Sequence, residues 1–195
     1  MKAFKLVRLY EAVVMVALGA VELNGVATGI AVADAMCKTA KIRLMGAYPV
    51  CPGKYVVLVS GEVAAVRAAV HAGEQESGAT LVDSFVIPNL HEQIFPAITG
   101  TVPFDEIQAV GIVETFSLAS AVVVADHAVK AAAVTLLEVR LGRALGGKSF
   151  VLLTGEVAAV RAAITAGEKA VRSTGLLLGS VVIPSPHPDL IENLV

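Results

Sequence analysis

Short apolar runs, broken by glycine, proline and polar residues, follow one another along the chain and predict alternating strands and helices. Residues 16–23 form a run suited to a buried strand, which Asn24 and Gly25 interrupt. Residues 26–39 then carry apolar side chains at helical spacing. The residues expected on the inner face of that helix are Val26, Ile30, Ala33 and Cys37.

The same pattern predicts six elements in each half of the chain. In the first half, the strands are expected at residues 16–23, 42–48, 55–59 and 81–87, with helices at 26–39 and from 61 onwards. In the second half, strands are expected at 107–115, 134–141, 149–154 and 176–183, with helices at 118–132 and 156–174. The order β-α-β-β-α-β is that of the ferredoxin-like unit. The predicted fold class is therefore α+β, an α/β sandwich of two tandem ferredoxin-like domains.

Four sequence motifs occur twice in the same order, which indicates one domain duplicated in tandem. The string GEVAAVRAA lies at residues 61–69 and again at 155–163, about half of the 195-residue chain apart. The other three are Gly-x-(Val/Ile)-Glu, Ala-Asp-x-x-x-Lys and Val-Ile-Pro-x-x-His. The predicted boundaries are an N-terminal extension at 1–14, a first domain at 15–100 and a second domain at 101–195.

The composition favours contacts between protein copies and excludes several other partners. Hydrophobic residues make up 56% of the chain and charged residues only 16%, which is more apolar than a typical soluble domain. Domains of about 90 residues cannot bury all of that surface. The net charge of −2 provides no basic field, so no nucleic-acid partner is expected.

The N-terminal apolar stretch and the cysteines bear on the compartment. Residues 12–21 are too few to span a bilayer, so no membrane partner is expected. Cleavage of this stretch as a signal peptide would remove a piece that the repeat needs. The two cysteines occupy non-equivalent positions in the repeat, which fits a reducing cytosol better than a disulfide framework.

With four motifs in order, twice over, the chain resembles the bacterial microcompartment shell domain in its tandem form. The resemblance covers about residues 15–91 and 107–187, and each copy has the unpermuted element order. It implies a homotrimer, a pseudohexameric tile with a central pore. Such tiles pack beside other shell proteins into a cytoplasmic shell that encloses enzymes.

The resemblance also assigns an edge role to two lysines. Lys38 and Lys130 match the lysine that lies along the seam between tiles in this family. The simpler interpretation is an ion pair at i,i+4 with Asp34 or Asp126, and both can hold together. The arginine that the family carries near the end of the last strand is replaced by Asn89 and Ser185, which puts part of the lateral contact in doubt.

In this family the connection between the second and third strands lines the pore, and the two copies differ there. The first copy offers the candidate pore residues Val50, Cys51, Pro52, Gly53 and Lys54. The second copy offers Leu145, Gly146 and Gly147 within a longer loop. A pore ring built from unlike loops has threefold and not sixfold symmetry. Lys54 and Lys148 are expected either to make its rim electropositive or to be solvated strand-end lysines.

A Cys-Pro-Gly pore loop resembles that of tandem shell proteins carrying an iron–sulfur cluster. The resemblance implies that Cys51 thiolates from three chains ligate one 4Fe-4S cluster per trimer, for electron transfer or cluster delivery across the shell. Thiolates are the usual ligands of such clusters. The alternative is a free thiol that narrows a metal-free pore for metabolites. Cys37 is expected to be a small buried hydrophobe.

Two function classes outside shell assembly compete with this interpretation. A trimeric ferredoxin-like regulator would bind a small effector between subunits. An enzyme would need a catalytic set, and the sequence offers no Ser-His-Asp arrangement, phosphate-binding loop or histidine cluster. The chain is therefore expected not to be an enzyme, and no catalytic residue is assigned.

Overall fold

A computed structural model describes residues 16–103 and 106–194, which form two similar units. The predicted N-terminal extension, residues 1–14, lies outside the described residues. In the first unit the elements are β1 Ala17–Asn24, α1 Val26–Thr39, β2 Arg43–Val50, β3 Lys54–Gly61, α2 Val63–Ser77, β4 Leu81–Pro88 and α3 Ile94–Thr99. In the second unit they are β5 Ala109–Thr115, α4 Leu118–Ala131, β6 Thr135–Leu141, β7 Ser149–Gly155, α5 Val157–Val171, β8 Leu177–Ile183 and α6 Pro188–Leu194.

Each unit holds a four-stranded antiparallel sheet, with the orders β2-β3-β1-β4 and β6-β7-β5-β8. In both sheets the first strand of the unit is central and pairs with the third and fourth. Together with the element order, this confirms the predicted α+β fold of two tandem, unpermuted ferredoxin-like units. Within the described residues, no helix combines the length and apolar character needed to cross a membrane.

The central strands β1 and β3 of the first sheet are buried on both faces, which explains their nearly continuous apolar sequences. Alternate side chains of β1 and β3, such as Val21 and Val57, pack on α1 and α2 in one cluster. The intervening side chains, such as Leu18 and Leu58, belong to a larger cluster shared with the second unit. The chain therefore has one core inside the first unit and a larger one that fills the second unit and extends to the first sheet.

The predicted inner face of α1 is right at Ala33 and wrong at Val26, Ile30 and Cys37. Gly29, Val32, Ala33 and Met36 are the buried residues of this helix, whereas Val26 is 47% and Ile30 58% exposed. Cys37 is also exposed, so it is not the buried hydrophobe expected. The helix turns a glycine to the sheet because a Cβ at Gly29 would stand 2.2 Å from Tyr55 Cδ1. A prediction based on apolar side chains does not count glycine, and it therefore selects the face with Val26 and Ile30 and not the face with Gly29.

Two short helices, α3 and α6, were not predicted, and each follows the last strand of its unit. Ile94 and Phe95 of α3 are buried in the cluster that joins the two units. Gln93, just before α3, accepts a hydrogen bond from the Leu136 amide nitrogen at 2.9 Å and donates one from Nε2 to the Val134 carbonyl at 3.3 Å. The helix α3 thereby fastens the first unit to the start of β6.

Candidate functional site: the strand-connecting loops and the seam between units

The first candidate pore loop is a tight connection that presents Cys51 at the surface. Val50 and Lys54 still pair across β2 and β3, so three residues make the turn. The Cys51–Pro52 bond is cis, and Gly53 has a φ of 84°, a conformation that glycine adopts easily. Cys51 is exposed. The arrangement leaves the thiol accessible at the end of a short hairpin.

The second candidate pore loop is longer and rich in glycine. It joins Leu141 to its strand partner Ser149, and Gly146 and Gly147 both have positive φ values. Leu145 is half-buried, and its carbonyl accepts a hydrogen bond from the Lys148 amide at 3.2 Å. The two loops therefore differ in length and chemistry, in line with the difference seen in the sequence.

The two loops lie against each other within one chain. A Cβ at Gly142 would stand 3.1 Å from Val50 Cγ1, and one at Gly147 would stand 3.5 Å from the Cys51 carbonyl oxygen. Val50 is only 5% exposed and belongs to the cluster between the units. Its side chain is thus part of the core, which corrects its assignment as a pore-lining residue.

A tyrosine–arginine stack beside the loops was not predicted. The Tyr48 hydroxyl donates to the Leu141 carbonyl at 3.3 Å, and the Arg143 guanidinium carbon lies 3.8 Å from the ring centroid of Tyr48. Burial raises the pKa of the Tyr48 phenol, while the charge of Arg143 and its hydrogen bond act in the opposite direction. The stack ties the end of β2 to the second loop.

Lys54 and Lys148 are both held by carboxylates, which bears on the two roles left open for them. Lys54 Nζ lies 2.9 Å from Glu22 Oε1, and Lys148 Nζ lies 2.6 Å from Glu114 Oε1. The glutamates stand at equivalent positions of the central strands β1 and β5. Each lysine charge is therefore balanced across its own sheet, and this weakens the case for an electropositive rim.

The two candidate edge lysines form the i,i+4 ion pairs that their spacing indicates, in different surroundings. Lys38 and Asp34 pair on the surface, with side chains 74% and 60% exposed. Lys130 pairs with Asp126 Oδ2 at 2.6 Å, and the Asp126 side chain is only 12% exposed. Lys130 Nζ also donates to the Asn89 carbonyl at 2.8 Å. Lys130 is thus engaged at the seam between the two units of one chain.

Across residues 16–103 and 106–194, no group of three or more metal-ligating side chains comes together. Cys51 is the exposed thiol of the first loop, and the second loop offers glycines in its place. A metal site with several thiolates at this loop would need more than one copy of the chain.

Comparisons with known proteins agree on one family. The BMC domain matches twice, over residues 17–90 and 109–186. The bacterial microcompartment shell protein PduT of Citrobacter freundii is 41% identical over 179 residues, which cover 92% of this chain and 97% of that protein. The carboxysome shell protein CsoS1 of Prochlorococcus marinus is 42% identical over 86 residues, or 43% of this chain and 84% of that protein.

Two solved structures agree with these matches. The crystal structure of a microcompartment protein from Desulfitobacterium hafniense has a TM-score of 0.89 and 48% identity, over 92% of this chain and 99% of that one. A fused permuted hexameric shell protein of the RMM microcompartment has a TM-score of 0.53 at 22% identity, over 80% of this chain and 81% of that one. The second likeness concerns the fold alone.

Proposed function

This chain belongs to the BMC domain family and is a structural shell protein of a bacterial microcompartment, and we propose that it works as a homotrimeric tile with a central pore. One observation carries the proposal. The surfaces that meet between the two units inside the chain occur a second time, and the helix surface of the second pair is open.

The helix surfaces illustrate this relation. In α4, Leu118 is 6% exposed and Val122 is fully buried, both within the cluster that joins the units. Their repeat counterparts in α1 are Val26 and Ile30, which are exposed. An apolar helix face that is covered in one repeat and open in the other is suited to bind another protein surface.

The sheet surfaces show the same relation. Leu18 and Leu58 of the first sheet are buried in the cluster between the units. Their counterparts in the second sheet are Val110 and Leu152, which are buried in a small separate cluster with Ile191 and Leu194 of α6 packed against it. A concavity of about 440 Å³ lies there, lined in part by Ile112, Phe150 and Leu152. The second sheet of one copy can therefore receive α1 of the next copy.

Such a contact is heterologous, because unlike surfaces of two identical chains meet. Heterologous contacts close into a ring when the rotation between copies allows it. Three chains of two units give a six-unit ring, in agreement with the trimer implied by the family resemblance. Lateral packing against other shell proteins, with Lys38 and Lys130 near the tile edge, and a shell that encloses enzymes complete the proposal.

Mass measurement of the purified protein tests the trimer. We expect a species of three times the chain mass by mass photometry, and flat tiles, sheets or tubes by electron microscopy of concentrated protein. A discrete species of another size would contradict the trimeric tile. A trimer that never associates further would favour the ferredoxin-like regulator instead.

For the pore we propose that Cys51 from three chains ligates one 4Fe-4S cluster, which transfers electrons or is delivered across the shell. Support comes from the exposed thiol on a three-residue turn and from the small residues Pro52 and Gly53 beside it. Bound there, the cluster would supply one-electron redox chemistry. The protein's part is to hold the thiolates close to the axis.

Iron and sulfide assays on anaerobically purified protein test the cluster. We expect a brown protein with about four irons per trimer, lost in Cys51→Ala and kept in Cys37→Ala. The second variant is the matched control, because Cys37 is also exposed but lies on α1. Equal iron content in the two variants would overturn the cluster. A metal-free trimer would favour the alternative, a tile whose pore passes metabolites.

A further inference from the structure

Inside the chain, the turn after β4 contacts the C-terminal part of α4 through two hydrogen bonds. The His91 amide nitrogen donates to Asp126 Oδ1 at 2.8 Å. Lys130 Nζ donates to the Asn89 carbonyl at 2.8 Å and to Asp126 Oδ2 at 2.6 Å. A backbone amide, a backbone carbonyl and an ion pair thus form a clamp between the end of one repeat and a helix of the next.

Both halves of this clamp occur a second time. Asp34 and Lys38 occupy the positions of Asp126 and Lys130, and they form the same i,i+4 ion pair. After β8, Ser185 and His187 occupy the positions of Asn89 and His91. In this second set, Asp34 and Lys38 lie on α1 of the first unit, and Ser185 and His187 lie after β8 in the second unit.

The histidine of the turn after β8 makes the same hydrogen bonds as the histidine of the turn after β4. Nδ1 of His91 accepts a hydrogen bond from the Gln93 amide at 3.3 Å, and Nδ1 of His187 accepts one from the Asp189 amide at 3.2 Å. The two histidine carbonyls also accept equivalent bonds at the starts of α3 and α6, of 3.1 Å and 2.9 Å. From the histidine onward the two turns therefore match, whereas Asn89 has a φ of 56° and Ser185 has no positive φ.

The exposure of Asp34 shows that no turn covers the ion pair on α1 within the described part of the single chain. The Asp34 side chain is 60% exposed, whereas that of Asp126, under the turn of the first unit, is 12% exposed. A carboxylate that accepts hydrogen bonds from a backbone amide and from a lysine forms two charge-assisted bonds. Asp34 has the lysine and remains open to an amide donor.

We infer that the Ser185–His187 turn of one copy clamps the Asp34–Lys38 pair of a second copy. The His187 amide donates to the Asp34 carboxylate, and Lys38 Nζ donates to the Ser185 carbonyl. The inference rests on the proposed trimer, since the occupant of each clamp is another copy of this chain.

The contact between two copies is expected to be weaker than the equivalent contact between the two units of one chain. Inside the chain Gln93 both donates to and accepts from the backbone of β6. Its counterpart next to the second turn is Asp189, and an ionised carboxylate only accepts hydrogen bonds. One bond of the inner seam therefore has no equivalent between copies. Dilution is expected to separate whole chains, whereas the contact between the units of one chain does not depend on concentration.

Hydrogen exchange can measure the protection of this turn with little background, because Pro184, Pro186 and Pro188 carry no amide hydrogen. A short peptide across this turn reports mainly on the Ser185 and His187 amides. We expect its exchange to be slow in the assembled protein and about tenfold faster in Asp34→Ala, with partial recovery in Asp34→Asn. The concentration for half-dissociation, measured by mass photometry, rises by a similar factor in Asp34→Ala.

Asp126→Ala is the matched control, since it removes the equivalent carboxylate from the inner clamp. It is expected to speed exchange at His91 and to leave the peptide around His187 unchanged. A trimer whose His187 amide exchanges as fast in the assembly as in the dissociated chain would overturn the clamp while the trimer stands. A protein that is monomeric at every concentration would overturn the trimer and the clamp together.

Discussion

At the scale of single residues, Tyr48 reports on the contact between the two loops. Its half-buried phenol donates to the Leu141 carbonyl and lies under Arg143, and burial raises its pKa. A neutral phenol is thus favoured in the folded chain, and this contribution to stability is present below the ordinary tyrosine pKa. It is lost as the pH rises through the higher pKa of the folded state.

Phenolate absorbance during alkaline titration measures this difference. We expect one tyrosine to ionise above its ordinary pKa, and Tyr48→Phe to remove that component. Arg143→Ala is expected to move the component to still higher pH, because the arginine charge favours the phenolate. A downward shift in Arg143→Ala would show that the stack does not form in solution.

The sequence predicts some site residues and misses others for a physical reason. Cys51 is recognisable because Cys, Pro and Gly stand together in a predicted loop, and the spacing of Asp34 to Lys38 gives the ion pair directly. Tyr48 with Arg143, and Gln93 with β6, join residues far apart in the chain. The side chain of Val50 was misassigned for the same reason, because the loop that buries it belongs to the other unit.

At the scale of elements, the approach of α1 to the first sheet depends on a glycine and an aromatic ring. Gly29 lies over the ring of Tyr55. The second unit has Ala121 and Ser149 in these places, so a larger helix residue goes with a smaller strand residue. The two repeats thus fill the same helix–sheet space with complementary volumes.

We expect Gly29→Ala to lower the free energy of unfolding by about 1–3 kcal/mol, because the added methyl group meets the Tyr55 ring. Chemical denaturation monitored by circular dichroism measures this change. Adding Tyr55→Ser recreates the pair of the second unit, and the double variant should lose less stability than the two single changes added together. Additive losses would show that the residues do not compete for space.

Eight strands and four helices were predicted from hydrophobic periodicity, and all twelve are present among the described residues. The two short helices were not predicted, because Pro96 and Pro188 and their short length give a weak local signal. Their stability comes from non-local packing, as Ile94 shows in the cluster between units. The error at α1 has a related cause, since the apolar stripe centred on Ile30 is open in the single chain.

At the scale of the whole molecule, the exposed apolar stripe on α1 allows effects on assembly to be separated from effects on folding. Ile30 is 58% exposed in the single chain, and its counterpart Val122 is fully buried between the units. The same substitution at the two positions should therefore have different consequences. Ile30→Asp is expected to leave the thermal unfolding of dilute chains nearly unchanged, because it buries no charge there.

In the assembled protein Ile30→Asp would place a carboxylate in an apolar contact, and burial of an unpaired charge is strongly unfavourable. We therefore expect a single-chain mass by mass photometry at concentrations where the unaltered protein is trimeric. Val122→Asp is expected to unfold the chain, because its site is inside the core. Arg67→Asp, an exposed change on α2, controls for the added negative charge. A stable trimer of Ile30→Asp would contradict the docking of α1 onto the second sheet of the next copy.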